Sequence, residues 1–312
     1  MSKRRYNSEY VGEYVNRVAY PMGGIGSGMI CLEGTGALSH VSLRHKPQIY
    51  HEPVLFAALA VPSRGFAKVL EGPVPSWKLY GQPESGLGAP DKTYGLPRFQ
   101  RASFKSRFPF GTVKLEDGQC PLQVTITGWS PFVPGDADAS SLPVAALEYM
   151  LENRSDQVVE GVFSFHAANF MAQGKTGAYV ERLERGFVLQ QAAVDEKPWV
   201  AGAFAVEIDD DDVAVNCGWF RGRRHETLLM TWRDVEAGRV VHRNPPIEGP
   251  PSPGGSLFVP FAVKPGETRE IKLLLSWYVP HSDFYTVDRN HTHGSSTATV
   301  CKAESGSYAY RP

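Results

Sequence analysis

The residues that invite a chemical reading first are the glycines of Pro21-Met-Gly-Gly-Ile-Gly-Ser-Gly28, with Gly23, Gly24, Gly26 and Gly28 inside six positions. A phosphate-binding loop needs such glycines ahead of a helix whose N-terminus faces the anion. Here Met29 stands where the third fingerprint glycine belongs, Met29-Ile-Cys-Leu reads as strand, and no Lys-Ser/Thr pair follows. The strip is therefore expected to bend tightly or to lie against another surface where a side chain would clash. Nucleotide cofactors are not expected.

Other groups weaken on the same scrutiny. His281, His291 and His293 could ligate a metal, but the surrounding tail is polar, and a three-ligand site needs a rigid scaffold with supporting hydrogen bonds. His40, His45, His51 and His166 are equally well explained by polar contacts or by a place on a sheet face. No metal is expected. Asp136 and Asp138 could be imagined as a glycosidase pair, yet such carboxylates face each other across a sugar and come from separate elements. Turn closure before the strand at Val144 is the simpler role. There is no GxSxG elbow, and no cysteine has a histidine beside it. The run Asp209–Asp212 lacks spaced oxygen ligands after it and reads as a solvated turn. Aromatic faces pack on sugars, and of six tryptophans Trp77 and Trp129, at loops or strand ends, are the candidates for sugar stacking. Trp199, Trp232 and Trp277 sit in strand patterns and read as core. No catalytic residue emerges.

The elements that must position these groups are strands. Leu122, Val124 and Ile126 alternate with Gln123, Thr125 and Thr127, the period of a half-buried strand. Val144–Glu152 alternates likewise, and after Asn153-Arg-Ser-Asp156 the apolar Val159, Phe163 and Phe165 share a face, so the two segments are expected to form a hairpin. Further strands are predicted over Met29–Leu32, Val54–Val61, Phe66–Leu70, Phe187–Gln191, Trp199–Ile208, Thr227–Trp232, Leu257–Val263 and Glu270–Tyr278, the last two flanking the turn Lys264-Pro-Gly-Glu267. A short helix around Thr176–Arg185 is the best helical candidate. Gly72–Pro97 and Asn244–Gly255 read as long loops.

The chain has 312 residues, 42% apolar and 21% charged, an ordinary globular balance. Its 31 glycines and 24 prolines are scattered without period, as expected for many turns between short strands. The fold class is therefore all-β, a large antiparallel two-sheet sandwich with little helix. The division expected is an N-terminal tail over 1–14, the sandwich over 15–280, and a poorly ordered polar tail over 281–312. A net charge of -1 supplies no pull toward nucleic acid. No apolar run is long enough for a membrane helix, and the basic start lacks a signal-peptide apolar region, so the expected address is the cytoplasm. Cys31, Cys120, Cys217 and Cys301 are far apart and read as separate thiols.

Two stretches resemble glycoside hydrolase family 116, which comprises the non-lysosomal glucosylceramidases and related bacterial β-glucosidases. PMGGIGSGMICLEGTGALSHVSLRHKP is similar to that family's opening segment, and SPFVPGD…SSLPVA, followed by a strand and the Asn-Arg-Ser turn, is close to a signature of its N-terminal domain. TWRDVEAG over 231–238 and the strand pair around Lys264-Pro-Gly266 also fit. The resemblance implies a β-sandwich that packs on a helical (α/α) catalytic domain, which supplies a glutamate nucleophile and an aspartate acid/base for retaining hydrolysis of a β-glucoside or glucosylceramide-type substrate. Nothing after Pro280 has helical period, so no catalytic residue carries over, and a truncated frame or a fragment is expected. The isolated chain is then expected to be inactive. Gly23, Gly24, Gly26 and Gly28 with Arg44 and His45 are the candidates for the domain interface or pocket rim. The alternative is a free-standing carbohydrate-binding or protein-interaction module.

Overall fold

A computed structural model describes residues 7–80, 92–173, 176–195 and 197–283. Seventeen strands run in chain order: β1 Tyr10–Val11, β2 Ala19–Met22, β3 Met29–Glu33, β4 Leu38–Ser42, β5 Leu55–Val61, β6 Phe66–Val69, β7 Arg101–Arg107, β8 Phe110–Glu116, β9 Leu122–Trp129, β10 Val144–Asn153, β11 Val159–Ala168, β12 Ala178–Arg182, β13 Gly186–Gln191, β14 Gly202–Ile208, β15 Ala214–Asn216, β16 Gly254–Val263 and β17 Thr268–Tyr278. Helices are few among the described residues: α1 Ser76–Tyr80, α2 Ala137–Ser140, α3 Arg224–Glu236 and three short 3₁₀ segments, Gly12–Arg17, Pro62–Arg64 and Pro198–Val200. All strand pairs named here are antiparallel, so the expected all-β sandwich is the fold.

One layer is a nine-stranded sheet ordered β1-β7-β8-β9-β10-β17-β14-β13-β12. The other holds a five-stranded sheet, β15-β16-β11-β5-β6, and a three-stranded sheet, β2-β3-β4. Alternation explains the large sheet. Leu122, Val124 and Ile126 of β9 and Ala145, Leu147, Tyr149 and Leu151 of β10 turn inward and are buried, while Thr125, Thr127, Glu148 and Met150 face out. Tyr149 meets Phe163 of β11 across the layers, ring centroids 4.9 Å apart. Met22 and Leu32 of the small sheet press onto Gly128 in the inner face of β9. The five-stranded sheet is covered on both faces, which is why Leu55–Val61 is apolar throughout rather than alternating. Its outer face carries α3, where Trp232 and Val235 pack on Phe56, Ala58 and Val69.

Three expectations are corrected. Val144–Glu152 and the strand after it are not a hairpin: β10 pairs with β9 and β17, whereas β11 pairs with β5 and β16. Asn153 is the reason the chain can change layers here. Fully buried, it donates from Nδ2 to the carbonyls of Gln157 and Val263, and its backbone exchanges hydrogen bonds with Gly266 and Glu267, clamping this corner to the β16–β17 corner. Thr227–Trp232 is not a strand but part of α3, because Leu228, Thr231, Trp232 and Val235 fall on one helical face over the sheet. Glu226 also accepts from the Arg223 N–H at the helix start. The segment predicted helical around Thr176–Arg185 holds β12, whose register with β13 buries Val180. Within the residues assigned to an N-terminal tail, Tyr10 and Val11 add an edge strand to β7. Of the tail over 281–312, residues 284–312 lie outside the described residues, as do His291 and His293.

Candidate functional site

The β2–β3 connection, Gly23–Gly28, lies at one end of the sandwich. Its backbone is held by Gly24 N–H to Leu142 O (3.1 Å), Ile25 N–H to Ser140 O (2.8 Å) and Gly23 N–H to Ser130 Oγ (3.1 Å). A Cβ on Gly24 would stand 2.3 Å from the Leu142 carbonyl, and one on Gly28, at φ +99°, 2.8 Å from Ser42 O. The Trp277 indole donates to Ser27 O at 2.6 Å. These glycines permit close approach of backbones, and no helix follows them.

Around this strip the end of the molecule is apolar. Phe108, at the β7–β8 tip, is 65% exposed and meets Phe132 edge-on at 4.8 Å. Phe110 pairs across strands with Trp129. Val133, Leu142 and Ile25 are exposed beside them, joined through hydrogen bonds to Ser140 and Leu142. Trp277 N–H bonds Pro143 O, so β17 also ends here, with Tyr278 67% exposed. Contiguous exposed apolar surface of this kind marks an interaction site.

Arg44 and His45 flank the same end. The Arg44 guanidinium is buried and spent on carbonyls, with Nη1 to Val200 O (2.8 Å) and Nη2 to Met171 O (2.9 Å), which ties the β4–β5 connection to β11 and β14. His45 reaches Val279 O through Nε2 at 2.9 Å. His40, His45 and Tyr50 all have positive φ, an unusual density of strain in eleven residues. His40 and Tyr50 rings lie 5.5 Å apart, and Tyr50 meets Trp77 at 5.9 Å. Trp77 donates to Asn16 O, and the Arg17 guanidinium covers its ring at 4.3 Å, so that face is occupied. Trp129 is half-buried on the outer face of the nine-stranded sheet.

Beneath the strained segment is a charge cluster that no spacing in the sequence signals, because its members come from four separate elements. Lys78 of α1 places one ammonium between Glu33 Oε1 (2.6 Å) and Glu52 Oε2 (2.8 Å), with Tyr94 OH donating to Glu52 at 2.8 Å. Burial alone would lower the Lys78 ammonium, but the two carboxylates outweigh it and hold the group above its ordinary value. Glu71 is paired with Arg98 at 3.0 Å, while burial pushes its carboxyl upward against that pairing. These carboxylates are structural partners of cations and are not poised as an acid and a nucleophile. Asp136 caps α2 by accepting from Ala139 N–H at 2.9 Å. In the acidic run, Asp210 accepts from Asp212 N–H and pairs with Arg269. Among the described residues no group of His, Cys, Asp or Glu could hold a metal. His166 is buried between Ser164 and Ser256 hydroxyls, both at 2.8 Å, and burial lowers its imidazole to about 3.

The family model described as "beta-glucosidase 2, glycosyl-hydrolase family 116 N-term" matches residues 19–298. No curated protein matches the chain. Among solved structures, the 4-alpha-glucanotransferase of Thermococcus litoralis is similar at 7% identity and TM-score 0.36 over 86% of this chain and 39% of that one. The Slr1438 protein of Synechocystis sp. PCC 6803 is similar at 9% identity and TM-score 0.39, over 89% of this chain and 100% of that one. A human-microbiome protein assigned as a kojibiose phosphorylase has 7% identity and TM-score 0.31, and this chain spans 19% of its length.

Proposed function

The chain belongs to the N-terminal domain family of glycoside hydrolase family 116, and we propose that it is the non-catalytic β-sandwich of a β-glucosidase- or glucosylceramidase-type enzyme, docking a helical catalytic domain through its apolar end. The observation that carries this reading is the exposed cluster of Phe108, Phe132, Val133, Leu142 and Ile25 around the glycine strip, beside the end of β17. A surface of this composition suits a partner that removes it from water. The commitment of Glu33, Glu52 and Glu71 to Lys78 and Arg98 supports inactivity of the domain by itself. No helix of the described residues is long and apolar enough to cross a membrane. The reading places the domain in the cytoplasm, and the free thiols Cys31, Cys120 and Cys217 support that address.

The test is hydrolysis of an aryl β-glucoside by the purified chain, with a mechanism-based covalent inhibitor of retaining β-glucosidases as control. No turnover and no labelling are expected. Inhibitor-sensitive turnover would put catalytic carboxylates inside this sandwich and overturn the reading.

A further inference from the structure

The outer face of the nine-stranded sheet carries a second feature, which meets the apolar end only at Trp129. Strand register sets Trp129 beside Ala146, Ala146 beside Leu274, and Leu274 beside Glu207, one row across β9, β10, β17 and β14. The next row sets Glu148 beside Lys272. At roughly 4.8 Å per strand, Trp129 and Glu207 stand about 14 Å apart with the small Ala146 between them. The result is a cleft of about 270 Å³ with an indole at one end, apolar floor in the middle and charged groups along the side and far end. Among the described residues, neither the Glu148 nor the Glu207 carboxylate is engaged in a hydrogen bond or ion pair. Of the two cations at the cleft, Arg185 pairs with Asp209 at 3.3 Å and Lys272 with Glu270 at 3.4 Å, so neither neutralises Glu148 or Glu207.

We propose that this cleft binds a neutral saccharide chain, with Trp129 and Leu274 under the apolar face of a sugar ring and Glu148, Glu207 and Lys272 accepting from and donating to its hydroxyls. An aromatic platform beside unengaged acceptors and a cation matches a polyhydroxylated ring, which offers an apolar C–H face and donors and acceptors at its rim. The lining sets three carboxylates, Glu148, Glu207 and Asp209, against the two cations Arg185 and Lys272, and this excess of negative charge disfavours a polyanion. An open sheet face accommodates a chain end to end, where an enclosed pocket would take a single ring.

The experiment is isothermal titration of the full chain with cellohexaose, laminarihexaose, maltohexaose and, as the anionic comparison, oligogalacturonate. Binding of at least one neutral hexaose is expected. Trp129→Ala should weaken it about tenfold, the equivalent of about 1.4 kcal/mol. Because Trp129 also packs on its neighbours, Glu207→Ala, at an exposed position, serves as the second variant and should weaken binding several-fold while the melting temperature stays unchanged. Failure of every neutral hexaose to bind, binding by both variants as tight as that of the natural chain, or tighter binding of oligogalacturonate would each overturn the proposal. The titration uses the chain without a partner domain, and Glu207 lies outside the apolar end, so the cleft and the domain assignment stand or fall separately.

Discussion

His166 makes the stability of this sandwich depend on pH in a way that can be worked out from its surroundings. The ring lies inside the outer layer under Trp219, stacked on Phe56 at 4.8 Å, with both nitrogens held by serine hydroxyls that suit a neutral imidazole. Burial lowers it to about 3, against an ordinary value near 6.5 in an unfolded chain. Between those values the unfolded chain takes a proton that the folded one refuses, so stability is full above about pH 6.5 and falls as pH drops toward 3. At about pH 5 the difference is about 1.5 pH units, worth about 2 kcal/mol, and near pH 3 the loss is about 4 kcal/mol. The assay is urea unfolding followed by tryptophan fluorescence at about pH 7.5 and about pH 5, for the natural chain and for His166→Gln. Burial also lowers His40 and His51, which contribute with the same sign to both proteins. The natural chain should lose about 2 kcal/mol more than the variant over that interval. Equal losses would refute the argument, because they would mean that the imidazole accepts its proton inside the fold.

Three further substitutions probe the docking end and its support. Lys78→Met leaves Glu33 and Glu52 buried without their cation and should destabilise the chain by about 3–5 kcal/mol at neutral pH in the same unfolding assay, the loss shrinking as acid protonates the carboxylates. Gly24→Ala drives a methyl into the Leu142 carbonyl and should cost about 3 kcal/mol, whereas Gly26→Ala, with open space around it and φ +75°, should cost only about 1–2 kcal/mol of backbone strain. Equal melting temperatures for the two glycine variants would refute the close-packing account of the strip.

Period-two patterning determined much of the fold. Leu122–Ile126, Val144–Leu151 and Glu270–Tyr278 alternate because one face of the nine-stranded sheet stays wet, and that alternation is written locally in the chain. The family was legible for a similar reason: the glycine strip and the SSLP segment are short, contiguous motifs, and the structure shows them hydrogen-bonded to each other. The steric need for Gly24 and Gly28 likewise follows from residue type, although only the fold shows which backbone each one faces. What the chain alone left undecided is partnership. The turn at Asn153 looks the same whether the next strand folds back or changes layers, and it is the buried bonds from Asn153 to Val263 that select the second. Thr227–Trp232 is short and apolar enough to pass as strand; a helix forms because the outer face of β5 and β6 needs a cover that Trp232 and Val235 supply. The Lys78 cluster, the apolar end and the Trp129 cleft all join residues far apart in sequence, so no local spacing announces them. Alternation tells which side of a strand is buried, but neighbours across the sheet are set by register, and register is settled only when the whole core packs.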